Sequence, residues 1–472
     1  MFQCPGIGEK RVYASCACRG NLFDGGVLFL FPFLVALVIL EASCSTTPPP
    51  DPGAFYRERL WREIGSLPES LSELLQTDKP PGPETLRYLK AYDLEPKPGP
   101  ATSFTIRLGL LSAGQRYSGQ GPRGQGMSGK PSPTGGPVEN RDTSSSGDLP
   151  SLAPLPPLCT LPPLGVLVGV LGRGAIHPSP ETDIPKSDTE KPFGEWGSGE
   201  QPGEHPKEPP GVYLRGTVFL VHGYLDHSGS WAPVIKRILR EGYLVIALDL
   251  PGHGISGGER GDIGDFSLYG EAVRRVVDWA VKVSPPRPWI AIGHSTGASA
   301  IWIALVRTLI EDGGGPLQAG GGTVAERGNV GETVFDNVLF LAPLVRSAHW
   351  RLSMTLVSLT RWAIPYWRSR AAIDPLFPIP YFPVHWAEKL KNWESKVDEY
   401  PSISQKGWIL QGTSDEVVDH SYSIPFLRSK LPGFRVRYIE GAGHVPYLKT
   451  PSGERYVQEV LEALSEFPEE SP

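Results

Sequence analysis

A serine can attack a carbonyl only if one group takes its proton and another receives the charge that develops. Residues 290–299 read IAIGHSTGAS, with Ser295 at the centre of a Gly-x-Ser-x-Gly. That spacing suits a nucleophile on a sharp turn, because glycine two residues to either side lets neighbouring chain pass close. The pattern alone decides little in a chain with 55 glycines, and Gly254-Ile255-Ser256-Gly257-Gly258 matches it too. Ser256 follows no strand directly and opens no helix, so it reads as a loop serine. Ser295 lies between a short apolar strand at 289–292 and a helix expected from about Ala298. Context therefore selects Ser295.

The base should be a histidine beyond the last strand, and the acid should follow the strand before it. Of ten histidines, only His444 follows the strand-like RVRYIEG, in EGAGHVPY. GWILQG is followed by TSDEVVD, which offers Asp415, Glu416 and Asp419. Asp415 lies nearest the strand's carboxyl end, where active-site loops gather. Asp419 suits the start of the next helix. An oxyanion needs two N–H donors. Thr296, after the nucleophile, supplies one, and Tyr224 in His222-Gly223-Tyr224 supplies the other from its backbone, with no role required of its ring. His222 reads as a brace for that loop and His294 as packing.

These residues need a scaffold that delivers them to one rim. GTVFLVHG, YLVIALDL, PWIAIGHS, DNVLFLAP, GWILQG and RVRYIEG are short apolar runs that read as buried strands. Between and after them, SWAPVIKRILREG, FSLYGEAVRRVVDWAVKV (with Asp265 as N-cap), ASAIWIALVRTLIED and YVQEVLEALSEF carry helical spacing. Strands alternating with helices imply an α/β fold, with a mostly parallel sheet covered on both faces.

The rest of the 472 residues is different in texture. Gly (55) and Pro (50) make up about 22 % of the chain. Their excess falls mainly between residue 112 and about 210, where few aromatics occur, so a largely disordered insert is expected there. TSFTIRL (102–108) and LGVLVGVL (164–171) are the strand-like islands. Residues 52–78 carry mixed helical spacing, and residues 45–101 read as a tether with a helical segment. With 45 basic against 51 acidic residues, the net charge of −6 gives no basic field, and no nucleic-acid partner is expected.

Residues 27–40, VLFLFPFLVALVIL, are apolar throughout, about the length of a signal-peptide core. Cys44 follows, then a Pro-rich STTPPPDP. This resembles a bacterial lipoprotein signal with Cys44 as the lipidated residue, although Glu41 stands where an aliphatic residue is usual. An uncleaved signal anchor and a buried core helix are the other readings. The first two place the catalytic part at a membrane, outside the cytoplasm. Cys4, Cys16, Cys18, Cys44 and Cys159 are the only cysteines, so the C-terminal part has no disulfide framework. Cys16-x-Cys18 lacks the second pair or histidine cluster that a metal site wants. No metal or cofactor is called for.

HGY, DLPGHGISGG, GHSTG, QGTSDEVVD and GAGHVPY, in this order, resemble the α/β-hydrolase superfamily, and within it the monoacylglycerol lipase and lysophospholipase-like serine hydrolases. The resemblance covers about residues 212–467. It implies catalysis by Ser295, Asp415 and His444, with an oxyanion hole at Tyr224 and Thr296. It also implies a helical lid inserted after the strand ending near Pro343, at about 344–405. That stretch is rich in aromatics, which suits a lipid-like ester and equally suits packing onto the sheet. Arg346, Arg351, Arg361, Arg368 and Arg370 could meet an anionic head group or simply solvent. The expected activity is carboxylic ester hydrolysis through an acyl-enzyme. An acyltransferase on the same triad, or a non-catalytic binding protein of this fold, are the alternatives. A peptidase or an epoxide hydrolase fits less well.

Overall fold

The structure is a computed structural model that describes residues 50–76, 80–95, 104–112, 161–171, 214–311, 334–368, 374–447 and 450–467. The apolar segment at 27–40, Cys44 and the other four cysteines lie outside the described residues, as does most of the Pro-rich insert. Among the described residues no helix is long and apolar enough to cross a membrane.

Each apolar run expected to be a strand is one. β1 (Phe104–Leu111), β2 (Leu164–Leu171), β3 (Gly216–Val221), β4 (Tyr243–Leu248), β5 (Trp289–His294) and β6 (Asn337–Leu341) precede two short strands, β7 (Tyr366–Arg368) and β8 (Tyr381–Pro383). β9 (Gly407–Gly412) and β10 (Phe434–Ile439) complete the set. Eight of them form one sheet in the order β1-β2-β4-β3-β5-β6-β9-β10. β2 is antiparallel to both β1 and β4, and the neighbours from β4 through β10 are parallel. The architecture is the α/β-hydrolase fold. TSFTIRL and LGVLVGVL thus supply its first two strands across the insert that separates them in sequence.

Side chains alternate across such a sheet, so each buried strand needs cover on both sides. Phe219, Ile246, Ala291 and Phe340 face one layer, which contains α5 (Leu268–Val283) and α6 (Thr296–Glu311). Leu220, Val245, Ile292 and Leu341 face the other, with α4 (Ala232–Arg240) and α10 (Pro451–Glu466).

That second layer also contains the N-terminal helices α1 (Ala54–Ile64) and α3 (Pro83–Ala91), which flank the short α2 (Leu71–Leu75). Leu60, Tyr88, Leu89 and Leu94 are buried there among the sheet residues. Within the stretch read as a tether with a helical segment, residues 54–94 therefore share the packing of the sheet. The mixed spacing of apolar residues reflects contact on more than one side of α1: Tyr56 and Leu60 face the core, and the Trp61 indole donates to the Ile255 carbonyl at 2.7 Å.

The insertion between β6 and β9 is not wholly helical. It holds α7 (Trp350–Thr360), the β7–β8 ribbon, α8 (Val384–Glu394) and a 3-10 turn at Val397–Glu399. α9 (His420–Lys430) follows β9.

Leu60 is fully buried. Leu60→Ala is expected to cost about 2–5 kcal/mol, the range for a core leucine. Urea unfolding of the whole chain measures it; a loss of only a few tenths would mean that the 50–95 segment does not pack on the sheet.

Candidate active site

The sheet reverses its order of filling at β3, with β4 on one side and β5 on the other. Loops leaving the carboxyl ends of β3 and β5 therefore diverge around a shared crevice, the usual place for a site in an open α/β sheet. Ser295 caps β5 and Tyr224 follows β3. Asp415 and His444 follow β9 and β10, two neighbours in the same sheet.

Ser295 has φ +51, a conformation costly for any residue with a Cβ. Three features hold it there. Its N–H donates to the Leu341 carbonyl of the next strand at 2.9 Å. A Cβ on Gly297 would strike the Val221 and His222 carbonyls, and one on Gly293 would lie 2.7 Å from Ala298. Both glycines are thus required by close approach. The helix begins at once, at Thr296 rather than near Ala298. The Thr296 N–H is one of the first-turn donors that a helix leaves without an internal partner, and the positive end of the helix dipole lies beside the serine.

His444 and Asp415 meet directly. His444 Nδ1 and Asp415 Oδ2 are 2.9 Å apart, with the Asp415 side chain fully buried. Asp415 Oδ1 accepts from the N–H groups of Val417 (2.8 Å) and Val418 (3.2 Å), and Oδ2 also accepts from Gln411 Nε2 at 3.0 Å. Burial would raise the carboxyl's pKa; the hydrogen bond and charge of His444, with the other donors, outweigh it and hold Asp415 at about 2. With Nδ1–H committed to Asp415, the Nε2 of His444 is the atom left to accept a proton.

The loops of Ser295 and His444 are joined. His294, immediately before Ser295, donates from Nε2 to the His444 carbonyl at 2.9 Å, and the two rings are 4.7 Å apart. The Ser295 hydroxyl itself has no hydrogen bond among the described residues. Catalytic hydrogen bonds commonly tighten only when substrate is present. Burial first, and then the nearby His444, lower the His294 pKa to about 3. It is a neutral cross-link between the Ser295 turn and the His444 loop, more than inert packing.

His222 is a brace. Its Nε2 accepts from the Leu250 N–H at 2.9 Å, so Nδ1–H donates to the Gly223 carbonyl at 2.6 Å. Burial keeps its pKa below the usual histidine value. Ser256 is a staple: it is fully buried, donates to the Asp249 carbonyl, and accepts from the Gly165 N–H of β2 at 2.8 Å. Asp419 caps α9, accepting from the Tyr422 N–H at 3.2 Å. Among the lid arginines, Arg346 pairs with Glu394 and lies 3.5 Å above the Tyr422 ring, and Arg361 pairs with Glu388. Arg351 is exposed, while the Arg368 side chain and Arg370 lie outside the described residues.

Gln411 and Asp226 carry contacts that the sequence reading did not assign. Asp226 accepts from the Trp231 indole at 2.9 Å, and the Tyr447 ring meets Trp231 edge-on at 5.3 Å, tying the loop after β3 to the loop of His444. A polar residue inside the apolar GWILQG was the available signal for Gln411. Among the described residues no cluster of side chains could hold a metal ion.

Asp415 is held at about 2 in the fold against ~3.9 unfolded. Its contribution to stability is therefore present above pH ~3.9 and lost as pH falls towards about 2. Urea titrations across that window should show a smaller pH dependence for Asp415→Asn than for wild type. Equal slopes would contradict the depressed value.

A family profile described as Serine aminopeptidase, S33 matches residues 213–448, half of the chain. A monoacylglycerol lipase of Mycolicibacterium smegmatis is 42 % identical over 88 residues, which is 19 % of this chain and 31 % of that protein. The chain thus spans about a third of that relative's length. A monoglyceride lipase homolog of Monkeypox virus is 27 % identical over 278 residues, covering 54 % of this chain and 90 % of the viral protein. Human monoglyceride lipase is 26 % identical over 251 residues, 50 % of this chain and 77 % of the human one. The matched region runs from β3 to the loop of His444, and by that match the chain belongs to the Serine aminopeptidase, S33 family of the α/β-hydrolase superfamily.

Proposed function

We propose that the chain is a serine hydrolase of carboxylic esters with lipid-like acyl groups. The observation that carries the reading is the His444–Asp415 hydrogen bond of 2.9 Å beside the strained turn of Ser295. In this reading the Ser295 hydroxyl oxygen bonds to the ester carbonyl carbon while its proton passes to His444 Nε2. The carbonyl oxygen becomes an oxyanion and accepts from the Tyr224 and Thr296 N–H groups. His444 then returns the proton to the departing alkoxide, leaving an acyl-enzyme. Water, deprotonated by the same nitrogen, then bonds to the acyl carbon; the bond to Ser295 Oγ breaks, His444 returns the proton to that oxygen, and the acid leaves. Asp415 stays ionised and holds the ring's tautomer throughout.

Two further points favour a lipid-like ester. The three relatives described above are named for acylglycerol lipases. The lid also exposes Leu352 (48 %), Leu359 (72 %) and Trp362 (83 %) around α7. Those side chains do not pack the lid onto the sheet, so a greasy substrate or its lipid surface would gain contacts there. The membrane placement inferred from residues 27–44 is part of this proposal. Mass spectrometry of the mature N-terminus from cell envelopes tests it: a diacylated Cys44 is expected, and an unmodified chain retaining residues 1–43 would refute lipidation.

A fluorophosphonate probe should label the wild-type protein on Ser295 and leave Ser295→Ala unlabelled. On p-nitrophenyl esters, kcat/KM should rise with acyl chain length beyond four carbons and fall at least about 10³-fold in Ser295→Ala. A preference for acetate over longer chains would remove the lipid assignment, and faster turnover of amino-acid p-nitroanilides than of any ester would favour an aminopeptidase.

A further inference from the structure

The lid does more than roof the site: it holds the oxyanion loop at two points. The first is the Tyr224 side chain. Its ring stacks on Trp386 of α8 with centroids 3.7 Å apart and planes 19° off parallel. Phe382 of β8 meets the same ring edge-on at 5.9 Å. The Tyr224 hydroxyl donates to the Gly261 carbonyl at 2.6 Å, and the Trp386 indole donates to the Tyr269 hydroxyl of α5 at 3.0 Å. Both ends of the stacked pair are therefore pinned to the core.

The second point lies three residues on. His227 Nδ1 accepts from the Gly229 N–H at 3.1 Å, so the ring's proton sits on Nε2, which donates to Asp374 Oδ2 at 2.9 Å. Asp374 belongs to the lid. Its other oxygen accepts from the Tyr92 hydroxyl (2.6 Å) and from the N–H groups of Leu376 (2.9 Å) and Phe377 (2.6 Å). Between the two points, Leu225 has φ +60. A branched side chain at positive φ persists only where surroundings impose it. The loop that must aim the Tyr224 N–H thus carries strain and is gripped on both sides of it.

We infer that Trp386 and Asp374 are positioning residues for the oxyanion hole, so that the seated lid sets the direction of the Tyr224 N–H. The inference rests on the serine-hydrolase reading above. An oxyanion donor acts only if it points where charge develops, and an error near 1 Å forfeits much of its effect. With its ring locked between Trp386 and the Gly261 carbonyl, Tyr224 has no rotamer freedom, and its Cα and N–H follow the lid.

The test compares Trp386→Ala, Trp386→Phe, Asp374→Ala and a matched truncation, Leu390→Ala, in the full chain. Leu390 is buried in the same helix, and its side chain offers neither a ring to stack on Tyr224 nor a hydrogen bond to the loop. Steady-state kinetics on a long-chain p-nitrophenyl ester, binding of a trifluoromethyl ketone, and melting temperature are measured for each. Trp386→Ala should lower kcat roughly 10–100-fold with KM changed less than about threefold, and weaken the ketone by a similar factor. Asp374→Ala should act in the same direction. Trp386→Phe, which keeps an aromatic face, should recover to within about threefold of wild type, and Leu390→Ala should lower the melting temperature without the loss in kcat. If Trp386→Ala and Leu390→Ala show equal kcat and equal ketone affinity, the lid does not position the donor. Wild type that fails to label with fluorophosphonate would end the hydrolase reading itself; labelling that is equally fast in wild type and Trp386→Ala would end only this inference.

Discussion

The left-handed backbone at Ser295 is the constraint on which the site depends. A residue with a Cβ resists φ +51, so the conformation must be imposed from outside. It is imposed by the Leu341 carbonyl, which accepts the Ser295 N–H, and by the glycines that let α6 press against the end of β3. The consequences are geometric. The chain turns from strand to helix within one residue, Thr296 becomes the first residue of α6, and His294 is thrown to the side of the turn that faces the base loop, where it holds the His444 carbonyl.

Around that turn, buried histidines are used as neutral polar braces. His222, His253 and His294 all have pKa values pushed down, with burial the largest cause in each. A neutral imidazole offers one donor and one acceptor, and His222 uses both to lock the ends of β3 and β4 together. Four donors hold the Asp415 carboxylate: His444, Gln411 and the amides of Val417 and Val418.

What could be read from the sequence follows from locality. Ser295, Asp415 and His444 each stand just past an apolar run, and β5, β9 and β10 formed where those runs lie. Position relative to a strand end is what singles them out, and the fold brings Asp415 and His444 to 2.9 Å. Contacts between distant segments left no local trace. His227 and Asp374 are 147 residues apart, and nothing near either announces the other. The Tyr224 ring had no assigned task because its partner, Trp386, lies in a lid whose aromatics looked interchangeable. Residues 45–101 read as a tether with a helical segment, but packing on several sides blurs helical spacing, so the burial of Leu60 and Tyr88 could not be read from it. The lid read as helical because the β7–β8 ribbon has three residues per strand, too few for alternation to show.

The two lid helices are held to very different degrees, and this bears on how a substrate could reach Ser295. α8 buries Val384, Trp386, Ala387, Leu390, Trp393 and Glu394, whereas α7 buries only Met354 and Val357. Lifting α8 would break the Tyr224 stack, the Trp386–Tyr269 hydrogen bond, and the Lys389 contacts of 2.8 Å to both oxygens of Asp262. Asp262 is nearly buried, so an unpaired carboxylate would remain there at high cost. Lifting α7 would break the partly exposed Arg361–Glu388 pair and uncover two apolar side chains. Surface pairs of that kind contribute little. The insertion thus has a firmly packed half that stacks on Tyr224 and a loosely held half that carries the exposed Leu352, Leu359 and Trp362.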